Sequence, residues 1–349
     1  MLYKNVHIES FGYELPPNIV TSLSLEERLA PVYDRLNLAF GRLEMMTGIR
    51  ERRFWNNGMP PSQASTIAAE KAIANSEIDK GDIECLLHTS LSRDFLEPAT
   101  AFLVHDSLGL PPTATLFDIS NACLGFINGM VTLANMIELG QVKAGIVVAS
   151  ESSRHITDIT IDEILQDPDM TRAKLKRSFA SLTLGSGAVA VVLTHSSLSK
   201  CGHKIIGGTI RSASQHNDLC RIENDTYFFE PSTHPSMRTD SEGILKNGLA
   251  LAGETWKALE KELRWRKSDV DKVFCHQVTA VHQELLFDTL SLDESKGFSS
   301  VEYLGNVGPV SLPITLAIAL DEGHLDPGDN VGMLGIGSGL SSVMLGVKW

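Results

Sequence analysis

The feature that most restricts the fold of this chain is a repeat within it. Asp79-Lys80-Gly81-Asp82-Ile83-Glu84-Cys85-Leu86-Leu87-His88-Thr89 matches Arg266-Lys267-Ser268-Asp269-Val270-Asp271-Lys272-Val273-Phe274-Cys275-His276 at an offset of 187 (His276 against Thr89). Further along, Asp118–Gly125 matches Val301–Gly308 as a second strand-to-helix turn, the offset now 183 (Asn306 against Cys123). Ala144–Ala149 then parallels Asn330–Gly335, and Gly185–Leu193 parallels Gly337–Leu345. The shorter final offset reflects an insertion in the first half, about residues 151–182.

Each half alternates apolar strand-like runs with helical stretches, the pattern of layered α/β folds with mostly parallel strands. The boundary falls near 198, giving halves 1–198 and 199–349. Two such halves about a pseudo-twofold axis set equivalent turns face to face. Cys123 and Asn306 then lie at opposing helix starts, with His276 at the end of a neighbouring strand. Several elements flank this frame. Val6–Ser10 reads as a strand and Leu15-Pro16-Pro17 as a loop. Ser22–Leu38 reads as a helix capped by Ser24, with Glu26 and Glu27 in its first turn. An Ala-rich helix is expected from Ser62 to about Asn75, a strand over Ile83–Thr89, a helix over Leu249–Leu263 and a strand over Val270–Cys275.

With 349 residues the chain exceeds a usual single core, in keeping with two halves. A net charge of −13 argues against nucleic acid or an anionic membrane surface as partner. The N-terminal stretch has no secretory pattern, and no apolar run approaches the ~18 residues of a membrane span. Five cysteines (85, 123, 201, 220 and 275) are odd in number and scattered without a CxxC pair, as expected of reduced cytoplasmic thiols. Cys85 with His88, and Cys275 beside His276, are loose candidates for zinc; adjacent strand residues point to opposite faces, so no metal is expected.

The stretch Phe117–Gly129 carries the most chemistry. A strand-like run, Thr115–Ile119, stops at small polar residues, and apolar and small residues continue helically from Cys123 towards Leu139. A thiol at a strand-to-helix turn faces unpaired helix N–H groups, whose partial positive charge favours a thiolate. The competing reading is a buried packing cysteine. A second stretch, Thr47–Trp55, combines bases with aromatics: either a solvated charge run, or a surface for a phosphate-bearing CoA or carrier-protein arm involving Arg52, Arg53 and Trp55.

Four motifs together resemble the thiolase superfamily, in particular its 3-oxoacyl-ACP synthase III-like condensing enzymes. They are Thr47–Arg53, Asn121-Ala122-Cys123, Cys275-His276-Gln277-Val278-Thr279 and Gly305-Asn306-Val307-Gly308-Pro309-Val310-Ser311-Leu312-Pro313. They keep the family's order and span nearly the whole chain. Within the group, Thr89–Pro98, Gly305–Pro309 and Leu334–Leu340 look like the OleA-type subgroup that joins two fatty acyl-CoA molecules head to head. The ordinary synthase III pattern has Asn three residues after His; here that position is Thr279, which weakens a malonyl-ACP reading. The resemblance implies a thiolase-like α/β fold with duplicated mixed-sheet halves in αβαβα layers, and a homodimer.

The implied chemistry assigns each residue a role. Cys123 takes an acyl group from acyl-CoA. The backbone N–H of Cys123 and, by resemblance, that of Ser338 form the oxyanion hole. His276 and Asn306 donate to a second thioester carbonyl and stabilise its enolate. A malonyl donor makes its carbanion by losing CO2, whereas a plain acyl-CoA must lose an α-proton and needs a base. By resemblance that base is Glu97, reaching the site from the partner subunit; its apolar flanks, Phe95, Leu96 and Pro98, suggest a raised pKa, and a plain loop acid is the alternative. The expected activity is therefore non-decarboxylative Claisen condensation to a 2-alkyl-3-ketoacyl product, in lipid biosynthesis. It requires acyl-CoA as substrate and no cofactor. The alternatives are a synthase III using malonyl-ACP, with acyl carrier protein as partner, an acyltransferase to an oxygen or nitrogen acceptor, and a non-catalytic subunit.

Overall fold

The structure, a computed structural model, describes residues 1–223 and 236–349. Five strands of the first half run β1 (Val6–Glu14), β4 (Cys85–His88), β5 (Thr115–Asp118), β6 (Ala144–Glu151) and β7 (Gly187–His195). Four of the second half are β8 (Lys204–Ser212), β11 (Lys272–Cys275), β12 (Asn330–Gly337) and β13 (Ser341–Lys348). They join in the order β11-β12-β13-β8-β1-β7-β6-β4-β5. At the seam β1 and β8 share one registered pair, His7 with Lys204.

Outward from that seam the pairing sense is the same on both sides. β1 with β7 and β7 with β6 are antiparallel, then β6 with β4 is parallel. Likewise β8 with β13 and β13 with β12 are antiparallel, then β12 with β11 is parallel. The correspondence stops at the fifth strand. β5 pairs parallel with β4, whereas β11 meets only a single parallel bridge, Val273 with Gly297. Val301–Gly308, expected to begin as a strand, instead opens with the short helix α11 (Val301–Leu304).

Helices make the other layers. The outer layer of the first half is α4 (Pro61–Asn75) and α5 (Thr100–Leu108), packed on Ile146, Val148, Ala190 and Val192. The Ala content of α4 has a plain cause: a Cβ on Gly12 of β1 would fall on the backbone of Ala68 and Ala72, so helix and strand touch main chain to main chain. The middle layer is α6 (Gly125–Glu138) and α12 (Ser311–Asp321), enclosed by Val147, Val189 and Val191 on one side and Met333, Val343 and Leu345 on the other. The far layer is α9 (Ser241–Leu263) and α10 (Ala280–Leu290), bringing Trp256, Leu259 and Phe287 onto Leu334, Ile336 and Met344. Alternate residues of β6 and β12 face different cores, which is why these strands read as continuous apolar runs. The result is the five-layered αβαβα thiolase-like arrangement.

The expected helix over Ser22–Leu38 is two, α1 (Ser22–Arg28) and α2 (Ala30–Arg35). Pro31 sits in the first turn of α2, where its missing N–H is harmless. The cap of α1 is Thr21, whose hydroxyl accepts from the Ser24 N–H at 3.0 Å, rather than Ser24. Glu26 is buried and accepts from Tyr33 Oη, Gly41 N and Leu43 N, so it is a structural acceptor and not a charge for the helix dipole. The insertion forms α7 (Arg154–Gln166) and α8 (Arg172–Leu182), which share a fourth core with Leu25, Tyr33 and Leu43. β2 (Asn18–Thr21) pairs with β3 (Glu51–Phe54), and β9 (Cys220–Glu223) with β10 (Ser236–Thr239). No helix among the described residues is long and apolar enough to cross a membrane.

Candidate active site

Cys123 lies in the turn between β5 and α6. Ala122 takes a positive φ of 45°, and the Leu124 N–H donates to Asn121 O at 2.9 Å, so the chain reverses tightly at the thiol. Gly125, the first residue of α6, is pressed on the end of β4: a Cβ there would fall on Thr89 O and come 3.6 Å from Pro309 Cβ. Only glycine allows that approach. On the other side a Cβ on Gly337 would lie 2.9 Å from Leu124 Cγ and 3.5 Å from its backbone nitrogen. The turn Gly337-Ser338-Gly339 therefore lies directly against the nucleophile turn.

Two influences meet at the thiol: the helix start favours a thiolate, while desolvation, with Cys220 on β9 and Glu151 adding to it, pushes the Cys123 thiol up to about 12.

His276 follows the last residue of β11, and its N–H donates to Leu334 O at 2.9 Å. It is buried, and among the described residues neither ring nitrogen has a hydrogen-bond partner. Burial, with His282 nearby, lowers its pKa to about 3, so the imidazole is neutral and free to donate or accept. The next residue is structural: Gln277 donates to Phe298 O at 2.9 Å and accepts from Ser300 N at 3.0 Å, fixing the segment that leads into α11.

Asn306 is locked by its main chain. Its N–H donates to Thr183 O and its carbonyl accepts from Gly185 N, both at 2.9 Å. Its Oδ1 accepts from Gly308 N at 3.0 Å, which makes Nδ2 the donor end that faces outward. Gly125 against Pro309, Gly337 against Leu124, and His276 on Leu334 bring the three motifs to one place between the halves.

Other expected residues fall elsewhere. Arg52 is fully buried on β3 and donates to Ser22 Oγ at 3.0 Å and Val20 O at 3.4 Å. Its Cβ backs Gly305 and Gly185, behind the Asn306 turn. Trp55 is buried with its indole N–H on Glu151 O at 2.9 Å, and Arg53 donates to Pro16 O at 3.3 Å. A ligand-facing surface at Arg52 and Trp55 is therefore corrected to a packing role, because β3 pairs with β2 and turns Arg52 inward. Glu97 is exposed, in a loop with Phe95 and Leu96 55% and 70% exposed, so its apolar neighbours do not enclose it within this chain.

Glu151 escaped the sequence reading. It ends β6, every residue of which is buried, and burial raises its carboxyl to about 7. The signal was present: a single acid closing an apolar run, Ala144–Ser150.

Comparison with known proteins agrees with this geometry. Residues 117–214 match the family 3-oxoacyl-[acyl-carrier-protein (ACP)] synthase III, and residues 260–349 match its C-terminal family. The chain is 44% identical to an acyl-CoA:acyl-CoA alkyltransferase of Shewanella oneidensis and 37% identical to one of Xanthomonas campestris, over the full length of each. It matches the crystal structure of cerulenin-bound OleA from Xanthomonas campestris with a TM-score of 0.93 at 37% identity, covering 100% of this chain and 98% of the other. Solved forms of that protein include variants with a histidine, a glutamate or a cysteine replaced. Synthase III enzymes of Koribacter versatilis and Clostridioides difficile are more distant, at 27% and 30%. Fold, motifs and full-length identity agree: this chain belongs to the synthase III-like condensing enzymes of the thiolase superfamily, in their acyl-CoA:acyl-CoA alkyltransferase branch.

Proposed function

We propose that this protein joins two fatty acyl-CoA thioesters by non-decarboxylative Claisen condensation. The observation that carries the reading is the packing of the Cys123, His276 and Asn306 motifs on one another, through Gly125 and Pro309, Leu124 and Gly337, and His276 and Leu334, in a chain 44% identical, over its full length, to an acyl-CoA:acyl-CoA alkyltransferase. In the first half-reaction Cys123 sulfur bonds to the acyl carbonyl carbon, and CoA leaves with the thiol proton. The raised thiol requires that this proton be handed on as attack proceeds, and the neutral His276 ring suits that relay. The N–H groups of Cys123 and Ser338 stabilise the tetrahedral oxyanion.

In the second half-reaction an acyl-CoA loses an α-proton, with its enolate oxygen held by His276 and the Asn306 Nδ2 donor. Its carbon bonds to the acyl-cysteine carbonyl carbon and expels the Cys123 thiolate, giving a 2-alkyl-3-ketoacyl-CoA. No cofactor is required in this scheme.

The base is Glu97 of a second copy. β5 is an edge strand with Phe117 37% exposed, and Phe95, Leu96 and Phe102 are exposed beside it. Such a bare apolar edge suits pairing with another copy, which would carry the Glu97 loop across. The two-half organisation, 1–198 and 199–349, and a cytoplasmic setting for the free thiols belong to the same proposal.

The test is incubation with a long-chain acyl-CoA alone, with mass analysis of Cys123 and of the products. An acyl adduct on Cys123 and a β-keto product or its ketone are expected. CoA release with no such product until malonyl-ACP is added would overturn the reading in favour of a synthase III. No adduct at several chain lengths would revive the non-catalytic subunit.

A further inference from the structure

We propose that Glu151 is a positioning residue whose carboxylate clamps the Glu97-bearing loop against the Asn306 turn. The function assigned to the loop rests on the reading above; the clamp itself rests on contacts. Glu151 is the sole charged side chain of β6 and is 6% exposed. A carboxylate so placed needs compensation, by a cation or by donors. Among the described residues no ion pair reaches it. Its donors all come from two adjacent residues: Leu91 N gives 2.7 Å to Oε1, while Ser92 N and Ser92 Oγ give 3.2 Å and 2.8 Å to Oε2. Ser92 Oγ in turn accepts from Ser152 N at 3.1 Å, stitching the loop to the next residue as well.

The loop is pinned again just beyond. Asp94 accepts from Ser62 N at 3.0 Å and Ser62 Oγ at 2.6 Å, and its own N–H donates to Thr100 Oγ1 at 3.2 Å. Residues 95–99 form the span between this anchor and α5, so Glu97 is presented from a short arch held at both feet. On its other side Glu151 packs on the Asn306 turn. A Cβ on Gly308, which has a φ of +56°, would lie 3.6 Å from Glu151 Cγ and 4.0 Å from Leu91 Cδ1. Gly308 also supplies the N–H that orients the Asn306 amide. One side chain thus ties together the loop bearing the base and the turn bearing an enolate donor.

The clamp works in one ionisation state. Three donors require an acceptor-only group; a protonated carboxyl would turn an O–H towards one of them. The three donors favour the carboxylate while burial raises its pKa to about 7, so an opening of the loop that leaves Glu151 buried is favoured as pH falls through neutrality. The titratable group facing Glu151 is the Cys123 thiol; its other neighbours are Leu91, Ser92, the Trp55 indole and Gly308, all uncharged.

Hydrogen exchange and half-reaction kinetics test this on the full protein with Glu151→Gln and, as a milder variant, Ser92→Ala. Glutamine keeps the volume but directs an NH2 at a donor. Exchange protection at Leu91 and Ser92 is expected to fall about tenfold for each hydrogen bond lost, in the variants and in the wild type taken from about pH 8 to about pH 6. Condensation kcat should fall by about tenfold or more with KM little changed, while Cys123 acylation from acyl-CoA stays within about threefold. Unchanged protection in both variants overturns the clamp whatever the protein's substrate. Lost protection with unaltered condensation overturns its bearing on the reaction. An acylation loss as large as the condensation loss assigns Glu151 to the thiol instead. A wild type that never condenses acyl-CoA fails the functional reading, while the exchange measurement still decides the clamp.

Discussion

At Cys123 desolvation and the helix start oppose one another. Because the thiol lies near 12, alkylation by iodoacetamide at pH 7 should be slow and should rise about tenfold per pH unit up to about pH 10. Mass-resolved labelling of Cys123 checks this; a plateau below pH 8 would show an activated thiolate instead. Asn306→Ala removes the donor that the proposed scheme assigns to the enolate step and leaves the acyl-transfer turn intact. A loss of about 100-fold or more in condensation is expected, with the Cys123 acyl adduct still forming in single-turnover mass analysis. The residues that the proposed reaction uses directly stand out in the sequence, because a nucleophile, an imidazole and an amide each advertise their type. Arg52 and Glu151 were misread or passed over for a shared reason. Their meaning lies in burial, which depends on partners 30 and 60 positions away in the chain (Ser22 and Leu91).

At the scale of elements, apolar runs located β4, β6, β11 and β12 well, since these strands are buried on both faces, and α4 was read from its Ala-rich stretch. Such patterning failed where a local event interrupts it. Pro31 splits α1 from α2, and the match of Val301–Gly308 to Asp118–Gly125 conceals a helix where a strand was expected. Two substitutions probe the joints. Gly125→Ala drives a methyl into Thr89 O at the foot of α6 and should cost about 1–3 kcal/mol in a denaturant titration. Because the shift is transmitted to Cys123, acylation should fall with it. Thr21→Ala removes the α1 cap and should cost about 1 kcal/mol, with acylation unaltered because the Thr21 side chain is exposed and its hydroxyl serves the start of α1.

Across the whole molecule, the nine-stranded sheet and three helix layers leave the candidate site between halves whose central strands β1 and β8 share one registered pair. Stability should carry the mark of Glu151. Its folded pKa, near 7, lies above the ordinary 4.5, so the folded protein holds this proton more tightly than the unfolded chain. That contribution is complete below 4.5 and is lost as pH rises through 7, amounting to at most about 3 kcal/mol. Glu151→Gln should therefore flatten the fall in melting temperature between pH 5 and pH 8 while it harms condensation. In the pairing proposed through the β5 edge, Leu96→Glu should shift sedimentation towards a single chain and abolish condensation, with Cys123 still acylated.

The bare edge at β5 also has a cost for a chain left alone. A strand with one neighbour offers its outer row of amides and carbonyls to any extended segment, and Phe117 adds an apolar face. In the proposed pair of copies, separated chains should accordingly be the species that seeds fibrils. On dilution or heating, precipitation should track the fraction of free single chains and not the fraction unfolded.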